Sequence, residues 1–265
     1  MLHFDWSFFE GLLLHPPSTF VQGAIRTIYL AVIAQALGVV VGLVLALFRR
    51  SRRLPLRAFA SGYIWLIRGT PLLVQAVIVY DGLSALGLYS FNTVTIGPVS
   101  IPGVVQAGIV TLTINEGAYM AEIMRAAIDS VDRGQAEAAG SLGMRRRQAM
   151  RHVVLPQAMR VVIPPLGNEF NNMLKVTSLL SVIGLQELFL AAQDYNSATF
   201  RTFEIFLVAA IYYIAMTTAW SFVQAAIERR LQSRGGYVAE RVTLRERLFG
   251  GGGGAIAADQ LRGAR

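Results

Sequence analysis

The side chains best placed to bind a ligand form a polar stripe between residues 168 and 175. Three amides and one cation are spaced there at i, i+3, i+4 and i+7: Asn168, Asn171, Asn172 and Lys175. In a helix this spacing puts all four on one face. Such a face either binds a polar molecule or pairs with a neighbouring helix, and both interpretations stay open. Three nearby polar residues are further candidates: Glu169, Thr177 and Ser178.

Two carboxylates lie within an apolar segment near residues 104–128. Glu122 precedes Arg125 by three residues, a spacing that favours an ion pair on one helix face. Glu116 has no partner at such a spacing. Because an ionisable side chain in an apolar segment is costly unless it is paired or functional, we expect Glu116 to contact a ligand or another helix.

No combination of side chains predicts catalysis or a metal centre. The chain contains no cysteine, and its histidines, His3, His15 and His152, are too scattered to form a metal site. Its only lysine is Lys175 and it has no GxxxxGKS or GxxxxGKT stretch, so it lacks a loop that cradles the phosphates of ATP. We therefore expect neither enzyme activity nor a cofactor in this chain.

The elements that must position these residues are helices in a membrane. Apolar side chains make up 54% of the chain, a composition typical of membrane proteins. A helix needs about 20 apolar residues to cross a bilayer. Five runs meet this length, and they cover residues 19–48, 58–83, 104–128, 161–183 and 204–227. The prediction is an all-α bundle of five transmembrane helices, the fourth interrupted at Pro164 and Pro165.

The arginines predict how the bundle is oriented. Residues 49–57 hold five arginines, residues 125–160 hold seven and residues 229–265 hold eight. Outside these clusters the basic residues are Arg26, Arg68, Lys175 and Arg201, and of these only Arg201 lies in a connection between predicted spans. By the positive-inside rule the three clusters lie in the cytoplasm, so the N-terminus is outside and the C-terminus inside. The net charge of +8 is therefore attributed to orientation and not to nucleic-acid binding.

The two ends of the chain differ from the bundle. Residues 1–18 form an external segment in which Trp6, Phe8 and Phe9 favour a short helix at the membrane surface. The transmembrane domain covers residues 19–230. Residues 231–265 form a cytoplasmic tail, which we expect to be disordered from residue 250 because five glycines follow one another there.

The loop of residues 129–160 has the pattern of two short helices joined by a turn. Gln135–Leu142 favours a helix with a small alanine face. Gly143 permits a sharp turn, because glycine accepts positive φ without cost. A second helix from Met144 to Val153 carries four arginines, including Arg147, and Pro156 is expected to end it. Such a unit either docks on a soluble partner or is an ordinary basic loop.

This loop resembles that of the EAA-loop permeases of ATP-binding-cassette importers. The matching positions are Glu137, Ala138, Ala139, Gly143, Val153, Leu155 and Pro156, with valine at 153 in place of the usual isoleucine. Three other stretches are similar to the subfamily that carries polar amino acids, namely histidine, glutamine, glutamate, arginine and opines. They are RGTPLLVQ at 68–75, AYMAEIMRAAIDSV at 118–131, and PPLGNEF with LKVTSLLSVIG within 164–184.

The resemblance implies a type I (MetI-like) importer permease in the bacterial cytoplasmic membrane, the inner-membrane component of a binding-protein-dependent transport system. It also implies partners: a cytoplasmic ATPase dimer that binds ATP and Mg²⁺, a second permease copy or relative, and an external solute-binding protein. The loop helix would seat in a cleft of the ATPase. An ion-gradient-driven amino-acid transporter is the alternative; it would also use Glu116 and Lys175, but it leaves the 137–156 pattern unexplained.

Two proline sites are candidate gates or kinks. Gly69 and Pro71 are expected to kink the second span, where Arg68 either belongs to a gate or extends to the membrane interface. Pro164, Pro165 and Gly167 are expected to break the fourth span and to free backbone carbonyls beside the polar stripe.

Overall fold

The computed structural model describes residues 4–232, and the tail predicted for residues 233–265 lies outside them. The helices in chain order are α1 (Trp6–Leu14), α2 (Ser18–Arg49), α3 (Leu54–Arg68), α4 (Leu72–Val77), α5 (Leu83–Ala85), α6 (Gly103–Asp129), α7 (Arg133–Ser141), α8 (Arg146–Ala149), α9 (Leu155–Val176), α10 (Leu188–Thr199) and α11 (Thr202–Gln232). Wide π turns cover Ile78–Gly82 and Met150–Val154, and a 3₁₀ helix covers Thr177–Ile183. The chain separates into one unit of residues 1–225 and a second that begins at residue 226.

Two to four membrane spans are evident among the described helices. α2 and residues 202–231 of α11 are long and apolar enough to cross a bilayer. Two further candidates are bent pairs: Leu54–Arg68 with Leu72–Ala85, at 108°, and Arg146–Ile183 with Leu188–Thr199, at 51°. The third predicted span corresponds to α6, whose 27 residues are long enough. α6 is not among these candidates, and polar residues such as Gln106, Asn115 and Glu116 interrupt its apolar sequence, so the count of five is not confirmed.

α6 lies at the centre of the first unit and packs closely on α2. A methyl group added at Gly38 would lie 2.5 Å from Cγ of Glu116, and one added at Gly42 would lie 2.4 Å from Cβ of Met120. Likewise, a methyl group added at Gly117 of α6 would lie 2.5 Å from Cγ1 of Val41 on α2. Gly38 and Gly42 form a GxxxG pair, which lets two helix backbones approach where lipid supplies no hydrophobic driving force.

The largest apolar core fills the space between α2, α6 and the segment α9 to Ile183. Its buried members include Leu30 and Ala34 of α2 and Leu112 of α6. Phe170, Met173 and Leu174 of α9 are further buried members of this core. α9 is therefore buried on one face, and its opposite face carries the predicted polar stripe.

Three details differ from the sequence predictions. Pro156 does not end a helix, because the chain is helical on both sides of it, in the π turn Met150–Val154 and in α9. α9 also runs unbroken through Pro164 and Pro165, and the fourth span leaves α-helical geometry later, at Thr177. The connection before α6 contains a small antiparallel hairpin, Val94–Ile96 with Val99–Ile101, which an all-α prediction did not include.

Side chains of α11 support α9 at its prolines. Nε1 of Trp220 donates to the carbonyl of Gly167 at 2.8 Å, and Nε2 of Gln224 donates to the carbonyl of Pro164 at 3.3 Å. Proline removes a backbone donor and strains the preceding turn. The contacts from Trp220 and Gln224 hold α11 against this part of α9, which stays helical through both prolines.

The predicted helix near the N-terminus is present as α1, and Asp5 holds it in place. The Asp5 carboxylate accepts a 3.0 Å hydrogen bond from the amide of Phe8 and forms an ion pair with Arg201. The backbone amide of Asp5 donates to Oε1 of Glu204 at 2.9 Å. The hydrogen bond from Phe8, followed by the Arg201 guanidinium, holds the pKa of Asp5 well below its usual value of 3.8.

We expect Asp5→Asn to loosen α1 at neutral pH. A carboxyl whose pKa is lower in the folded state stabilises that state above its unfolded pKa and loses this effect as pH falls through the folded value. Wild-type α1 should therefore be most strongly protected above pH 3.8 and lose this protection progressively as pH falls below it. The variant should show several-fold faster hydrogen exchange at residues 6–14 at neutral pH, and its difference from the wild type should shrink below pH 3.8. Glu10→Gln, an exposed carboxylate on the same helix, is the control. Equal exchange in Asp5→Asn and Glu10→Gln would contradict this role for Asp5.

Candidate functional site

The predicted kink at Gly69 and Pro71 is a bend of 108° between α3 and α4. Pro71 has no N–H, so the carbonyl of Ile67 lacks its usual donor. Nε2 of Gln75 takes that place and lies 2.7 Å from the Ile67 carbonyl and 3.0 Å from the Thr70 carbonyl. Oε1 of Gln75 accepts from Asn115 of α6 at 3.0 Å. One buried amide therefore satisfies the broken backbone and ties it to α6.

Charged groups gather beside this bend. The guanidinium of Arg68 lies 5.3 Å from the ring centroid of Tyr119 on α6, a cation–π contact. Arg68 also lies close enough to Glu169 of α9 for their charges to interact. The bend thus places the gate candidate Arg68 against α6 and near Glu169, a candidate on α9.

Glu116 is buried and paired with another helix. Its side chain is 3% exposed, and its Oε1 accepts a 2.8 Å hydrogen bond from Nε2 of Gln35 on α2. The predicted contact of Glu116 with another helix is thus present, whereas its predicted contact with a ligand stays a prediction. Glu122 lies 3.0 Å from Arg125, so the predicted ion pair on one face is confirmed.

Three of the four residues of the predicted stripe lie exposed on α9, whereas Asn171 is half-buried. Asn168, Asn172 and Lys175 are exposed, Glu169 is half-buried, and Oδ1 of Asn168 accepts from Gln224 of α11 at 3.2 Å. The hydroxyls of Thr177 and Ser178 turn back instead, and they donate to the carbonyls of Leu174 and Lys175 at 3.0 and 2.7 Å. Those two residues close the end of α9, and Thr177 is fully buried.

The loop of residues 129–160 contains the predicted first helix as α7, but the predicted second helix is not separate, because α8 continues through the π turn Met150–Val154 into α9. Within α7 only Ala139 is buried, while Glu137 and Ala138 are exposed. Gly143 has a φ of +80°, and its amide donates to the carbonyl of Gly140 at 2.9 Å, which is the usual way for a glycine to end a helix. Leu142 beside it is 81% exposed.

The loop presents charge and apolar surface together. Arg147, Leu155 and Pro156 are exposed. Among residues 4–232, neither Glu137 nor Arg147 forms an ion pair. At the base of the loop, Nε2 of Gln157 donates to Oε1 of Gln135 at 3.2 Å, which ties the start of α9 to α7. The predicted docking residues thus share one projecting unit.

Ion pairs join α2 to α6 directly before this loop. Arg49 pairs with Glu122, Glu122 with Arg125, Arg125 with Asp129, and Asp129 with Arg50. We call these five residues the ion-pair ladder. It joins the end of α2 to the last turns of α6, directly before the loop. Single surface pairs contribute little, whereas a connected network holds two helix ends in a fixed arrangement.

Residues 38–233 match the family described as the binding-protein-dependent transport system inner membrane component. The chain belongs to this family. A curated relative, the glutamine transport system permease protein GlnP of Escherichia coli (strain K12), is 36% identical over 231 residues, which are 87% of this chain and 99% of the relative.

Solved structures agree with the family. A crystal structure of an amino acid ABC transporter with histidines has a TM-score of 0.76 and 41% sequence identity, and the match covers 86% of this chain and all of that chain. An inward-facing structure of the MetNI methionine ABC transporter has a TM-score of 0.65 at 18% identity, covering 80% of this chain and 96% of that one, and shows the fold alone.

Family membership confirms several sequence predictions. This permease is a transport subunit of an ABC importer rather than an enzyme, and its helical type I fold is confirmed. The family works with a binding protein and an ATPase, in the inner membrane. Nothing in the comparisons supports the ion-gradient-driven alternative. Sequence reasoning missed the partners Gln35 and Gln75, although the Gly38–Gly42 spacing would have indicated the close pairing of α2 with another helix.

We expect Gln75→Leu to destabilise the bend. The substitution leaves the Ile67 and Thr70 carbonyls and the Asn115 amide without this partner, at a cost of about 1–3 kcal/mol for each buried group that stays unpaired. The melting temperature of the purified permease should fall by several degrees. Gln193→Leu, at an exposed position on α10, is the control and should change it little. A Gln75→Leu variant as stable as the control would show that the amide does not support the bend.

Proposed function

We propose that this permease forms the pathway of an ATP-driven importer for a polar amino acid. It acts with a separate ATPase dimer, a solute-binding protein and a second permease subunit. The ATPase, not this chain, binds ATP and Mg²⁺, because the sequence has no phosphate-cradling loop. Residues Glu137, Ala138, Ala139, Gly143, Arg147, Leu155 and Pro156 form the surface that couples the two.

One observation carries this proposal: in the loop of residues 129–160, Glu137 and Arg147 are exposed and form no ion pair within residues 4–232. Glu137 is exposed in the middle of α7, and Leu142, the residue directly after α7, is exposed as well. An exposed apolar side chain next to unpaired charges is typical of a surface that a partner covers. The ion-pair ladder then gives a firm connection through which ATPase closure would move α2 and α6.

The substrate class rests on the relatives. The similar E. coli protein is named a glutamine permease, and the structure at 41% identity is an amino acid ABC transporter with histidines. A polar amino acid carries a positive ammonium group and a negative carboxylate group, and it needs hydrogen-bond partners along its path. The exposed face of α9, with Asn168, Asn172 and Lys175, offers such groups, and Glu169 and Arg68 lie beside it. The bend at Gly69–Pro71 is the candidate gate.

The proposed topology has five spans, with α6 as the third. α6 is surrounded by α2, α3, α4 and α9, so its polar residues need not face lipid. The arginine-rich segments at 49–57 and 125–160 would lie in the cytoplasm. α1 and the hairpin before α6 would then lie on the outer side, with α1 at the membrane surface.

Transport in liposomes tests the proposal. Vesicles should hold the permease with its candidate ATPase, and the binding protein should be supplied with radiolabelled histidine, glutamine, glutamate or arginine. We expect uptake only when ATP, the ATPase and the binding protein are all present, and no effect when ionophores collapse ion gradients. Uptake that persists without ATPase, or that ionophores abolish, would overturn the proposal.

A further inference from the structure

Three arginines of the first basic segment take no part in the ion-pair ladder, namely Arg52, Arg53 and Arg57. Arg49 and Arg50 of that segment pair with Glu122 and Asp129. The other three are exposed, and within residues 4–232 none of them forms an ion pair. The first turn of α3 contains no acidic residue that would balance them. Three positive charges therefore remain uncompensated where α3 begins.

Beyond this basic end, α3 exposes an apolar face. Phe59, Trp65 and Leu66 are 59%, 77% and 54% exposed. Gly62 lies between them on the same face, since it follows Phe59 by three residues and precedes Leu66 by four. A methyl group added at Gly62 would have no neighbour within 4 Å. Gly62 therefore leaves a notch in this face, between the exposed rings of Phe59 and Trp65.

The dimensions of this face match one leaflet of a membrane. From Leu54 to Trp65 the helix rises about 16 Å, at about 1.5 Å per residue. One leaflet contributes roughly 15 Å to a hydrocarbon core of about 30 Å. The basic end of α3 therefore lies at headgroup level when Trp65 lies near the middle of the bilayer.

We propose that α3 carries a binding site for an anionic phospholipid. The phosphate of the lipid is held by Arg52, Arg53 and Arg57, and one acyl chain lies in the notch at Gly62. Charge complementarity selects this occupant over a second permease copy, because a second copy would bring three more uncompensated arginines. The site is distinct from the transport pathway on α9. It does not depend on which solute is carried, and only the choice of the inner leaflet depends on the proposed orientation.

Lipid titration of the full-length permease, purified with its associated subunits, tests this site. Native mass spectrometry counts bound phosphatidylglycerol, with phosphatidylcholine as the neutral probe. For wild type we expect one phosphatidylglycerol that survives gentle activation, and no phosphatidylcholine. Replacing Arg52, Arg53 and Arg57 together by glutamine should weaken its binding by on the order of a hundredfold, since each arginine near an anionic surface contributes roughly a fivefold factor.

Two variants separate a built site from general charge attraction. Replacing Arg145, Arg146 and Arg147 together by glutamine removes the same charge from the loop, and should weaken phosphatidylglycerol binding less than threefold. Gly62→Leu fills the notch without a charge change and should weaken it about tenfold, because an acyl chain loses its contact area.

Three results would overturn the lipid site. The first is that phosphatidylglycerol binding weakens equally when either group of three arginines is replaced by glutamine. The second is that Gly62→Leu binds phosphatidylglycerol as tightly as wild type. The third is a crosslink from position 59 or 65 to a second permease copy, which would show that protein covers this face. ATP-driven uptake by the wild-type protein is measured separately, so a failure here leaves the proposed function untouched.

Discussion

Glu137→Lys should abolish ATP-driven uptake, by more than about thirtyfold, while the permease still folds and inserts. Glu137 is exposed on α7 and contacts none of the ion-paired residues of the described chain, so its replacement does not disturb the bundle. A reversed charge in a docked interface typically costs 2–5 kcal/mol, which corresponds to a thirtyfold loss or more of assembled complex. The measurement is uptake in liposomes, together with copurification of the ATPase.

Gly143→Val tests the shape of the same loop. Gly143 has a φ of +80°, where a β-branched side chain is strained by about 1–2 kcal/mol, so the turn after α7 should reorganise. Gly87→Val is its matched control, because Gly87 has a φ of +66° and also lies in open space, but outside the loop. We expect loss of coupled uptake in Gly143→Val alone. If both valine variants fail alike, backbone strain and not docking is responsible.

Gly42→Val should largely prevent the permease from folding. A Cβ at this position would lie 2.9 Å from the backbone nitrogen of Ala121, and a backbone atom cannot move aside as a flexible side chain can. α2 and α6 would have to separate along their whole contact. Overpacking typically costs 1–3 kcal/mol, and this position should exceed that range because the contact joins two long helices.

The measurement for Gly42→Val is the yield and melting temperature of the purified permease in detergent. Gly11→Val is the control, because Gly11 also lies in a helix but has no atom within 4 Å of the added methyl group. A fall in yield should appear in Gly42→Val alone. Near-normal stability of this variant would mean that α2 and α6 are less closely packed than described.

The sequence predicted those features that depend on neighbours in the chain. The positive φ of Gly143, the Glu122–Arg125 pair and the bend at Gly69–Pro71 all follow from local geometry. What could not be predicted depends on partners far along the chain. Gln35 lies 81 residues from Glu116, and Trp220 lies 53 residues from Gly167, the position where it supports α9.

The two proline sites show this difference most clearly. Both have a proline that removes a backbone donor, yet only Pro71 breaks its helix. At Pro71 the freed carbonyl is satisfied by Gln75 in a bent geometry, whereas at Pro164 and Pro165 the helix stays straight enough to receive contacts from α11. Composition alone does not distinguish them, because the outcome is decided by which side chains the fold brings near.

The π turn at Met150–Val154 sets the rotational phase between the loop and α9. Each residue advances a helix by about 100°, and a π turn accommodates one more residue than an α-helical turn of the same height. A single insertion or deletion within this turn would therefore rotate the arginines of α8 by about 100° about the axis of α9. Inserting or deleting one codon during evolution can thus change the angle between the docking surface and the polar stripe without altering the residues of either surface.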